Sequence, residues 1–511
     1  MPRALISVYD KTDVETFARG LVDLGWEIVS SGGTASQLEE HGVPVTRVEE
    51  VTSAPEMLAG RVKTLHPRIH AGILARRDIP EDMDALDDQD IEPFELVCVN
   101  LYPFASVTGR QGVIDAEAVE LIDVGGPAML RAAAKNFEHV IAVCKPEQYE
   151  VVIDELHTRA SVSRELRRSL ANEAFATTAS YDATIAHWFG ETEEFPEQLT
   201  LAFQKLVDLP YGENPHQRAA YYREIGARRH LLSNVDQLGG RDLSYNNIAD
   251  LEGARRVSRQ FSAPTAVIVK HANPCGVASA ETIEDAYDRA LAADPISAFG
   301  CVMILNRLVP EGLGERIAAH FVEVVEAPEY EPGALEALRR KESLRILQER
   351  ERRSDTPGEL DYKRVLGGLL VQERDSQFGR PDTLSAPVGS PSVEQLEDLL
   401  FAWQVCRHVT SNAIVIAKDH QTIGIGAGQM SRVDAVKIAL EKAREYGHDV
   451  RGAVLASDAF FPFADGPQLA LEAGVTAIIQ PGGSKRDAEV VAAVESAGAS
   501  MLFTERRHFR H

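Results

Sequence analysis

The N-terminal part of the chain alternates short apolar runs with stretches in which apolar residues recur at helical spacing. Strand-like runs cover residues 4–8, 26–30 and 45–48, and helical patterns cover residues 12–24 and 34–41. This alternation predicts βαβαβ units, in which parallel strands are joined by helices packed on both faces of one sheet. The expected fold class is α/β, with a doubly wound parallel sheet at the N-terminus.

The same mixture of strands and helices continues along the chain. Two more strands are predicted at Leu96–Asn100 and Val140–Cys144, with a helix over Val119–Asn136 between them. Later elements are also mixed: the predicted strands are Ala266–Val269, Ile414–Ala417, Gly452–Ala456 and Ala477–Ile479, and the predicted helices include Ile283–Ala292 and Ala435–Tyr446. The C-terminal region is therefore expected to be α/β as well.

Breaks in the pattern indicate the domain organisation. The acidic segment Gly190–Leu199 is interpreted as a linker between a first domain, residues 1–195, and a second, residues 200–511. Within the second, the charged stretch Leu338–Arg364 is interpreted as a surface helix or insertion. A Pro, Gly and Ser-rich run near residues 375–395 is interpreted as a connector, so that two subdomains are expected.

Composition narrows the class of protein. The 511 residues carry 53 Lys and Arg against 78 Asp and Glu, a formal charge of −25, which argues against a large nucleic-acid or acidic-membrane surface. No run of eighteen apolar residues occurs, and the first strand begins within three residues of the N-terminus, so neither a membrane span nor an export signal is expected. Five scattered cysteines without a C-x-x-C motif favour reduced thiols. The expected location is the cytoplasm.

An anion site is predicted in the first domain. Ser31, Gly32, Gly33 and Thr34 follow a strand and begin a helix, where free N–H groups attract phosphate; the alternative is a plain N-cap turn. Arg61, Lys63 and Thr64, in the motif G-R-V-K-T-L-H-P, then place two cations beside a hydroxyl in a chain with only 12 lysines, although a solvated basic turn would have the same residues.

Other polar residues of the first domain lie at positions suited to chemistry. Asn100 and Tyr102 lie at the carboxyl end of a predicted strand, where ligands of open α/β sheets usually bind. Asp123 precedes two glycines and is a candidate base or positioning group. Lys135 ends a predicted helix and is either a helix-end cation or a proton carrier.

A second candidate site is Lys270-His271, directly after an apolar strand and before a Pro and Gly turn. A histidine next to a cation suits proton transfer, because the cation favours the neutral, proton-accepting imidazole. The alternative is a solvated loop. The run H-A-N-P-C is similar to part of a zinc deaminase signature, but position 273 is Asn instead of Glu and no C-x-x-C pair follows, so no catalytic zinc is expected.

Three more segments have the composition of ligand loops: Tyr211–Gln217, Ser457–Gly466 and Gln480–Lys485. Each combines turn-forming residues with aromatic or polar side chains. Phe460 and its aromatic neighbours are either core residues or the wall of a slot for a flat heterocycle.

Together these segments resemble, in the same order and over nearly the whole chain, the bifunctional family that joins 5-aminoimidazole-4-carboxamide ribonucleotide (AICAR) formyltransferase to inosine monophosphate (IMP) cyclohydrolase. The cyclohydrolase motifs are S-V-Y-D-K-T, S-S-G-G-T-A, G-R-V-K-T-L-H-P, N-L-Y-P-F, I-D-V-G-G-P and R-A-A-A-K-N. The transferase motifs are Y-G-E-N-P-H-Q, L-S-Y-N-N, K-H-A-N-P-C-G, S-D-A-F-F-P-F and R-R-H-F-R-H.

The resemblance implies a methylglyoxal synthase-like first domain, two cytidine deaminase-like subdomains without zinc in the second, and a homodimer. In the cyclohydrolase site it implies Lys135 as proton carrier, Tyr102 near the developing oxyanion, and nucleotide contacts from Lys11, Ser31, Gly32, Gly33, Thr34, Arg61, Lys63, Thr64, Asn100 and Asp123. In the transferase site it implies His271 as base and Lys270 as transition-state partner. The implied pocket residues are Tyr211, Gly300, Glu323, Asn412, Arg432, Phe460, Asp465, Gly482, Gly483 and Arg507.

The implied reactions are the last two steps of IMP synthesis. A formyl group passes from 10-formyltetrahydrofolate to the 5-amino group of AICAR, and the formylated product (FAICAR) then closes its ring with loss of water. The implied partners are nucleotide and folate substrates, without nucleic acid, membrane, metal or redox cofactor.

One position departs from the family pattern. Pro210 stands before Y-G-E-N-P-H, where the family usually has an arginine that contacts the substrate phosphate. Either Arg218 or Arg241 is expected to replace that arginine, or AICAR binding is weakened. Two alternatives therefore stay open: a cyclohydrolase with an impaired transferase, and a non-catalytic nucleotide-binding protein.

Overall fold

The computed structural model describes the whole chain except residues 55–56, 59–60, 109–112, 191–194, 228–229, 351–358 and 376–382. It contains two compact units. Unit 1 comprises Met1–Lys205 and Tyr222–His230, and unit 2 comprises Leu206–Tyr221 and Leu231–His511. The chain first passes from unit 1 to unit 2 after Lys205, ten residues beyond the predicted end of the first domain. The sequence did not predict that Tyr222–His230 would belong to unit 1 again.

Unit 1 is built on a five-stranded parallel sheet. Its strands are β1 (Arg3–Val8), β2 (Glu27–Ser30), β3 (Thr46–Arg47), β4 (Leu96–Asn100) and β5 (Ile141–Val143). The order is β3-β2-β1-β4-β5, so the chain runs outward from β1 in both directions. The central strands are apolar and buried because helices cover both faces. The predicted doubly wound α/β fold is confirmed.

Ten helices of unit 1 lie in the part of the chain that the structure describes. They are α1 (Val14–Asp23), α2 (Gly32–Glu40), α3 (Val48–Thr52), α4 (Pro67–Leu74), α5 (Pro80–Asp87), α6 (Phe104–Thr108), α7 (Asp115–Glu120), α8 (Gly125–Lys135), α9 (Tyr149–Arg159) and α10 (Arg164–Phe189). The single helix predicted over Val119–Asn136 is wrong, because α7 and α8 are separate. The N–H of Asp123 donates to the Tyr181 hydroxyl at 2.8 Å instead of to a helical carbonyl.

A hairpin of β6 (Phe203–Leu209) and β7 (Ala219–Glu224) forms a two-stranded sheet, and the border between the units runs through it. Unit 2 also contains the hairpin β14 (Leu360–Val365) and β15 (Gly368–Glu373). The described residues of the predicted linker, Phe195–Leu199, form neither helix nor strand. No helix among the described residues is long and apolar enough to cross a membrane.

The remainder of unit 2 is one twelve-stranded mixed sheet with helices on it. Its first half contains β8 (Val235–Gly239), α11 (Tyr245–Ser258), β9 (Thr265–Lys270), β10 (Asn273–Ser279), α12 (Ile283–Ala293), β11 (Cys301–Leu305), α13 (Glu311–Ala319), β12 (Val322–Ala327), α14 (Pro332–Arg339) and β13 (Arg345–Glu349). Its second half contains β16 (Ser385–Val388), α15 (Val393–Cys406), β17 (Ile414–Lys418), β18 (Gln421–Gly426), α16 (Arg432–Glu445), β19 (Val454–Ser457), α17 (Asp465–Ala473), β20 (Ala477–Gln480), α18 (Asp487–Ser496) and β21 (Ser500–Phe503).

The two halves repeat one topology. The strand order is β16-β21-β20-β19-β17-β18 followed by β10-β9-β11-β12-β13-β8, and the halves meet where β10 pairs antiparallel with β18. In each half, a helix is followed by an antiparallel hairpin and then by three helix–strand units. The strand that begins each half, β8 or β16, lies at the outer edge of the sheet, antiparallel to the strand that ends that half, β13 or β21. The α/β class predicted for the C-terminal region is confirmed, with both halves in a single sheet.

Two sequence interpretations in unit 2 need correction. Arg345–Glu349, inside the stretch interpreted as a surface helix or insertion, is strand β13, and its Ile346 and Leu347 are fully buried. The many charged residues of the stretch suggested an exposed segment, but this part of it is a strand paired between β12 and β8. The interpreted connector likewise contains strand β16 and the start of α15; residues 376–382 of it, like residues 351–358 of the supposed insertion, lie outside the described residues.

Candidate functional sites

The carboxyl ends of β1, β2 and β4 lie side by side in unit 1, where the sequence predicts an anion site. Lys11 follows β1, and its Nζ donates to the Thr34 hydroxyl at 2.8 Å and to the carbonyl of Val8. The Thr34 Oγ1 also bonds the Val8 backbone N–H at 3.1 Å. Burial lowers the pKa of the Lys11 amine. A lysine and a buried hydroxyl are thus held together at the start of α2.

Lys63 and Thr64 connect the first turns of two helices. A β-carbon added to Gly32 would lie 2.7 Å from Lys63 Nζ, and one added to Gly125 would overlap Thr64 Oγ1. The side chains of Lys63 and Thr64 therefore lie close against the first turns of α2 and α8. Helix N-termini carry partial positive charge and unpaired N–H groups, so these two with the lysine make a site for an anion.

Asp123 lies at the start of α8. Its Oδ1 accepts the Gly126 N–H at 2.9 Å, and a β-carbon on Gly126 would overlap Oδ2. Burial raises the pKa of this carboxyl, and the hydrogen bonds from Gly126 and Gly125 oppose the shift. A carboxylate with a raised pKa is a better proton acceptor than an ordinary aspartate.

The other predicted residues of unit 1 differ in their contacts. Asn100 holds the loop after β1, because its Oδ1 accepts the N–H groups of Tyr9 and Asp10 at 2.6 and 2.9 Å. The exposed ring of Tyr102 lies 5.0 Å from that of Tyr9. Ser31 is buried and makes no side-chain cap hydrogen bond at α2, where Gly33 forms part of the first turn.

Two predicted residues stand apart from this group. Arg61 is exposed and forms an ion pair with Glu120, while Gly60, which begins its motif, lies outside the described residues. Lys135 is the last residue of α8 and is exposed, roughly 15 Å along the helix from Gly125 at 1.5 Å per residue. The structure does not bring Lys135 to the other predicted residues of its own chain.

In unit 2, Lys270, His271, Tyr211, Gly300 and Glu323 line one cavity of about 290 Å³. The other lining residues are Ser244, Asn246, Asn247, Asp250, Phe299, Val302 and Phe321. Among the described residues that line it, Lys270 is the only lysine or arginine. Lys270 Nζ donates to the Phe299 carbonyl at 2.5 Å, and the Asn247 amide donates to Glu323 at 2.7 Å.

Asp250 is a lining residue that the sequence analysis missed. It lies on α11, and its carboxylate accepts the backbone N–H groups of His271 and Ala272 at 3.2 and 2.5 Å. Burial raises the pKa of the Asp250 carboxyl, although the two hydrogen bonds act in the opposite direction. The signal in the sequence was its position six residues after Ser244, the N-cap of the helix that begins in the L-S-Y-N-N motif.

Asn412 and Arg432 meet in the second half of unit 2. Arg432 Nη2 donates to Asn412 Oδ1 at 2.7 Å, and Nη1 donates to the Ser457 hydroxyl at 2.9 Å and to the carboxylate of Asp458. Arg432 and Asp458 are both buried, so the ion pair fixes the guanidinium that orients Asn412.

The remaining predicted residues follow strands of the second half. Phe460 and Asp465 lie after β19, where Asp465 begins α17 and Phe460 is 36% exposed. Gly482 and Gly483 follow β20 with φ of +74° and +94°, and a β-carbon on Gly482 would lie 2.9 Å from the Phe503 ring. Arg507 follows β21 and stacks on Phe509 at 4.6 Å.

These sites can be compared with known proteins. The family model described as AICARFT/IMPCHase bienzyme matches residues 133–442, which is more than half of the chain, and the model of the MGS-like domain matches residues 13–128. The chain belongs to the AICARFT/IMPCHase bienzyme family. Membership confirms the predicted family and its pairing of a formyltransferase with a cyclohydrolase.

Relatives match this bienzyme over the full length. "Bifunctional purine biosynthesis protein PurH" of Acetivibrio thermocellus is 48% identical over 100% of this chain and 99% of its own, and that of Lacticaseibacillus paracasei is 49% identical over all of both chains. A solved structure titled "Crystal structure of ForH" is 39% identical over 37% of this chain and 99% of that chain, with a TM-score of 0.34, too low to bear on the fold.

A larger cavity of this family member, about 550 Å³, contains none of the predicted residues. It surrounds the turn at Asp419 and His420 and is lined by acidic side chains together with Arg289. Among the described residues, no group of three or more His, Cys, Asp or Glu side chains is placed to hold a metal ion.

Proposed function

We propose that unit 1 closes the ring of FAICAR to form IMP and that the cavity of unit 2 transfers the formyl group to AICAR. The single observation that carries the first assignment is the arrangement of Lys63 between two helix N-termini, with Asp123 at the start of one of them. For the second, it is the cavity in which His271 and Lys270 lie beside Glu323 and Asn247.

In the transferase reaction, the 5-amino nitrogen of AICAR attacks the formyl carbon of the donor. His271 takes the proton that this nitrogen loses as the new C–N bond forms. The bond between the formyl carbon and N10 of the folate then breaks, and N10 leaves with a proton. Lys270 provides positive charge near the oxygen that becomes negative in the tetrahedral state, which is where a cation lowers the barrier.

In the cyclohydrolase reaction, the carboxamide nitrogen of FAICAR attacks its own formyl carbon. Asp123 accepts the proton lost by that nitrogen, and its raised pKa suits this task. The former formyl oxygen takes one proton from Lys63 to become a hydroxyl and then the proton held by Asp123 as it leaves as water. The attacking nitrogen returns its second hydrogen to the Lys63 amine as the ring C=N bond forms. Tyr102 is exposed at the same strand edge and is assigned to the oxyanion. We assign no step within one chain to Lys135.

The binding residues are assigned from the resemblance to the family, and of those in unit 2 only Tyr211, Gly300 and Glu323 line the cavity described above. In unit 1, the nucleotide phosphate is assigned to Lys11, Ser31, Gly32, Gly33, Thr34 and Thr64, with Arg61 and Asn100 at the margin. In unit 2, AICAR and the folate are assigned to Tyr211, Gly300, Glu323, Asn412, Arg432, Phe460, Asp465, Gly482, Gly483 and Arg507. The donor is 10-formyltetrahydrofolate, because the family's transfer requires a folate-type formyl group.

We also propose a cytoplasmic homodimer. All five cysteines are free, as expected of a reducing compartment. Every residue of β6 except Leu209 is exposed, as are Leu366, Leu369 and Leu370 of the β14–β15 hairpin. Apolar ribbons of this kind are suited to a second copy of the chain.

The deciding experiment supplies AICAR and 10-formyltetrahydrofolate to the purified protein and follows tetrahydrofolate and IMP together. Lys63→Met is expected to leave tetrahydrofolate release intact while FAICAR accumulates. His271→Ala is expected to abolish release while added FAICAR is still converted to IMP. If both variants lost both reactions, the division between the units would be wrong.

One observation favours a second candidate, a cyclohydrolase with a weak transferase. No arginine is among the described residues lining the unit 2 cavity, and Pro210, next to the lining residue Tyr211, is exposed. Conversion of FAICAR with no detectable use of AICAR would support that candidate. Nucleotide binding without either reaction would instead indicate a binding protein.

A further inference from the structure

The loop that presents His271 has an unusual backbone. We call Lys270–Asn273 the His271 turn: Lys270 pairs with Asn273, and the two residues between them have φ of +53° and +58°. Two-residue hairpin loops with both φ positive favour Asn and Gly, because side chains with a β-carbon are strained there. His271 and Ala272 therefore need support from outside the loop.

Helix α11 supplies that support. Each carboxylate oxygen of Asp250 accepts one N–H group of the loop, from His271 at 3.2 Å and from Ala272 at 2.5 Å. Gly253 lies one turn further on the same helix face, and a β-carbon there would lie 3.2 Å from the Ala272 carbonyl oxygen. From the other side, Arg510 donates to that carbonyl at 3.1 Å.

The second half of unit 2 contains the same device. We call Lys418–Gln421 the Asp419 turn: Lys418 pairs with Gln421, and the two loop residues have φ of +51° and +57°. Asp398 on α15 accepts the N–H groups of Asp419 and His420 at 2.8 and 2.7 Å.

Further contacts repeat in the same way. Lys270 Nζ donates to the Phe299 carbonyl, and Lys418 Nζ donates to the Arg451 carbonyl at 2.9 Å. The Asn247 amide donates to Glu323, and its counterpart Gln395 donates to Thr476 at 3.0 Å. Gln395 follows Asn247 by 148 residues, and Thr476 follows Glu323 by 153.

Comparison of the two turns shows which residues they share and which differ. The Asp419 turn keeps its helical aspartate and its lysine but has Asp419 where the His271 turn has its histidine, and Thr476 where the cavity has Glu323. A helical aspartate is thus present whether the residue after the lysine is His271 or Asp419. Its shared task in both halves is to hold two consecutive left-handed residues.

We propose that Asp250 is a positioning residue of the formyl transfer, which acts only by holding the turn that presents His271. This inference rests on the proposed role of His271 as the base. Asp250 exchanges no proton with the substrate and makes no contribution to AICAR affinity. Its effect is confined to where the imidazole lies.

The test begins with Asp250→Asn. The amide can accept one loop N–H but opposes the other with its own donors. We expect kcat for formyl transfer to fall about 10- to 100-fold, since an error of about 1 Å in position can cost that much. The KM for AICAR and the conversion of FAICAR to IMP are expected to stay within about two-fold.

A second change distinguishes positioning from direct chemistry. Glycine adopts positive φ without penalty, so Ala272→Gly should lower the need for support. Added to Asp250→Asn, it is expected to restore kcat at least about five-fold, whereas alone it should change kcat little. The matched control is Asp398→Asn, which removes the same support from the Asp419 turn and is expected to leave transferase kcat within about two-fold.

Several results would overturn the proposal. An unchanged kcat in Asp250→Asn, a rise in KM alone, or a loss that Ala272→Gly does not repair would each do so. If Asp250→Asn does not fold, Asp250→Glu is used instead, because it moves the carboxylate by one methylene. A wild-type kcat in Asp250→Glu would also contradict the proposal. His271→Ala is measured in parallel. If this variant still transferred the formyl group, His271 would not be the base, but the conclusion that Asp250 supports the turn would be unaffected.

Discussion

Gly32 and Lys63 are in contact across 31 residues of sequence, because a β-carbon at position 32 would lie 2.7 Å from the lysine Nζ. Gly32 also has φ of +52°, which a residue with a β-carbon adopts only at a cost of roughly 1 kcal/mol. The lysine amine thus occupies space that a side chain at position 32 would also need.

Gly32→Ala is therefore expected to reduce cyclohydrolase kcat/KM at least about ten-fold, because the methyl group displaces the amine from the anion site. Formyl transfer, in unit 2, should be unchanged. The measurement is conversion of FAICAR to IMP, with tetrahydrofolate release followed in parallel.

The control for stability is Gly33→Ala. A β-carbon on Gly33 meets nothing within 4 Å, and this glycine does not have a positive φ. Its melting temperature should equal that of the wild type, while that of Gly32→Ala should be a few degrees lower. Equal cyclohydrolase activity in Gly32→Ala and the wild type would contradict the placement of Lys63.

Asp123→Asn should abolish ring closure without destabilising the protein at neutral pH. Because burial raises the pKa of Asp123 above its value in the unfolded chain, ionising it costs folding free energy. That cost is absent below the unfolded pKa, grows as pH rises from the unfolded to the folded pKa, and is constant above it. The amide introduced by the substitution carries no such cost and keeps an oxygen for the Gly126 N–H.

The check is urea denaturation of both proteins at several pH values. The stability of the wild type relative to Asp123→Asn should fall as pH rises above the unfolded pKa of about 4, and level off above the raised folded pKa. A variant that became less stable with rising pH, relative to the wild type, would mean that the native site favours the ionised carboxylate.

Lys135→Met should leave cyclohydrolase kcat within about two-fold if each chain works alone, because Lys135 lies at the opposite end of α8 from Asp123. Lys63→Met, at the N-terminal end of that helix, should lose at least about 100-fold. Both are measured with added FAICAR. A large loss in Lys135→Met would show that Lys135 reaches the site of a second copy of the chain.

Pro210→Arg should lower the KM for AICAR about ten-fold, since one charge-assisted hydrogen bond to phosphate contributes roughly 1.5 kcal/mol or more. Arg218 and Arg241 are both exposed and absent from the cavity lining, so neither supplies that contact in this structure. An unchanged KM would indicate that one of them moves to the phosphate, and Arg218→Ala or Arg241→Ala would then raise it.

Much of the fold could be predicted from local sequence. The buried strands β1, β2 and β4 have apolar centres, and the helices that follow β1 and β2 have helical periods, so their positions were predicted to within a few residues. Strand β13 was missed because its charged flanks resemble a surface segment, although pairing with β12 and β8 buries its centre.

By itself the sequence determined the family and its two activities, because those depend on motifs that are read locally, and it predicted the residues of both sites. Only the tertiary structure decided which of these residues meet. Lys63 lies beside Gly32 although 31 residues separate them in the chain. Lys135 lies at the far end of α8 from Asp123. Asp250 reaches the His271 turn only because α11 packs beneath it, and such long-range packing leaves no periodic trace in the chain.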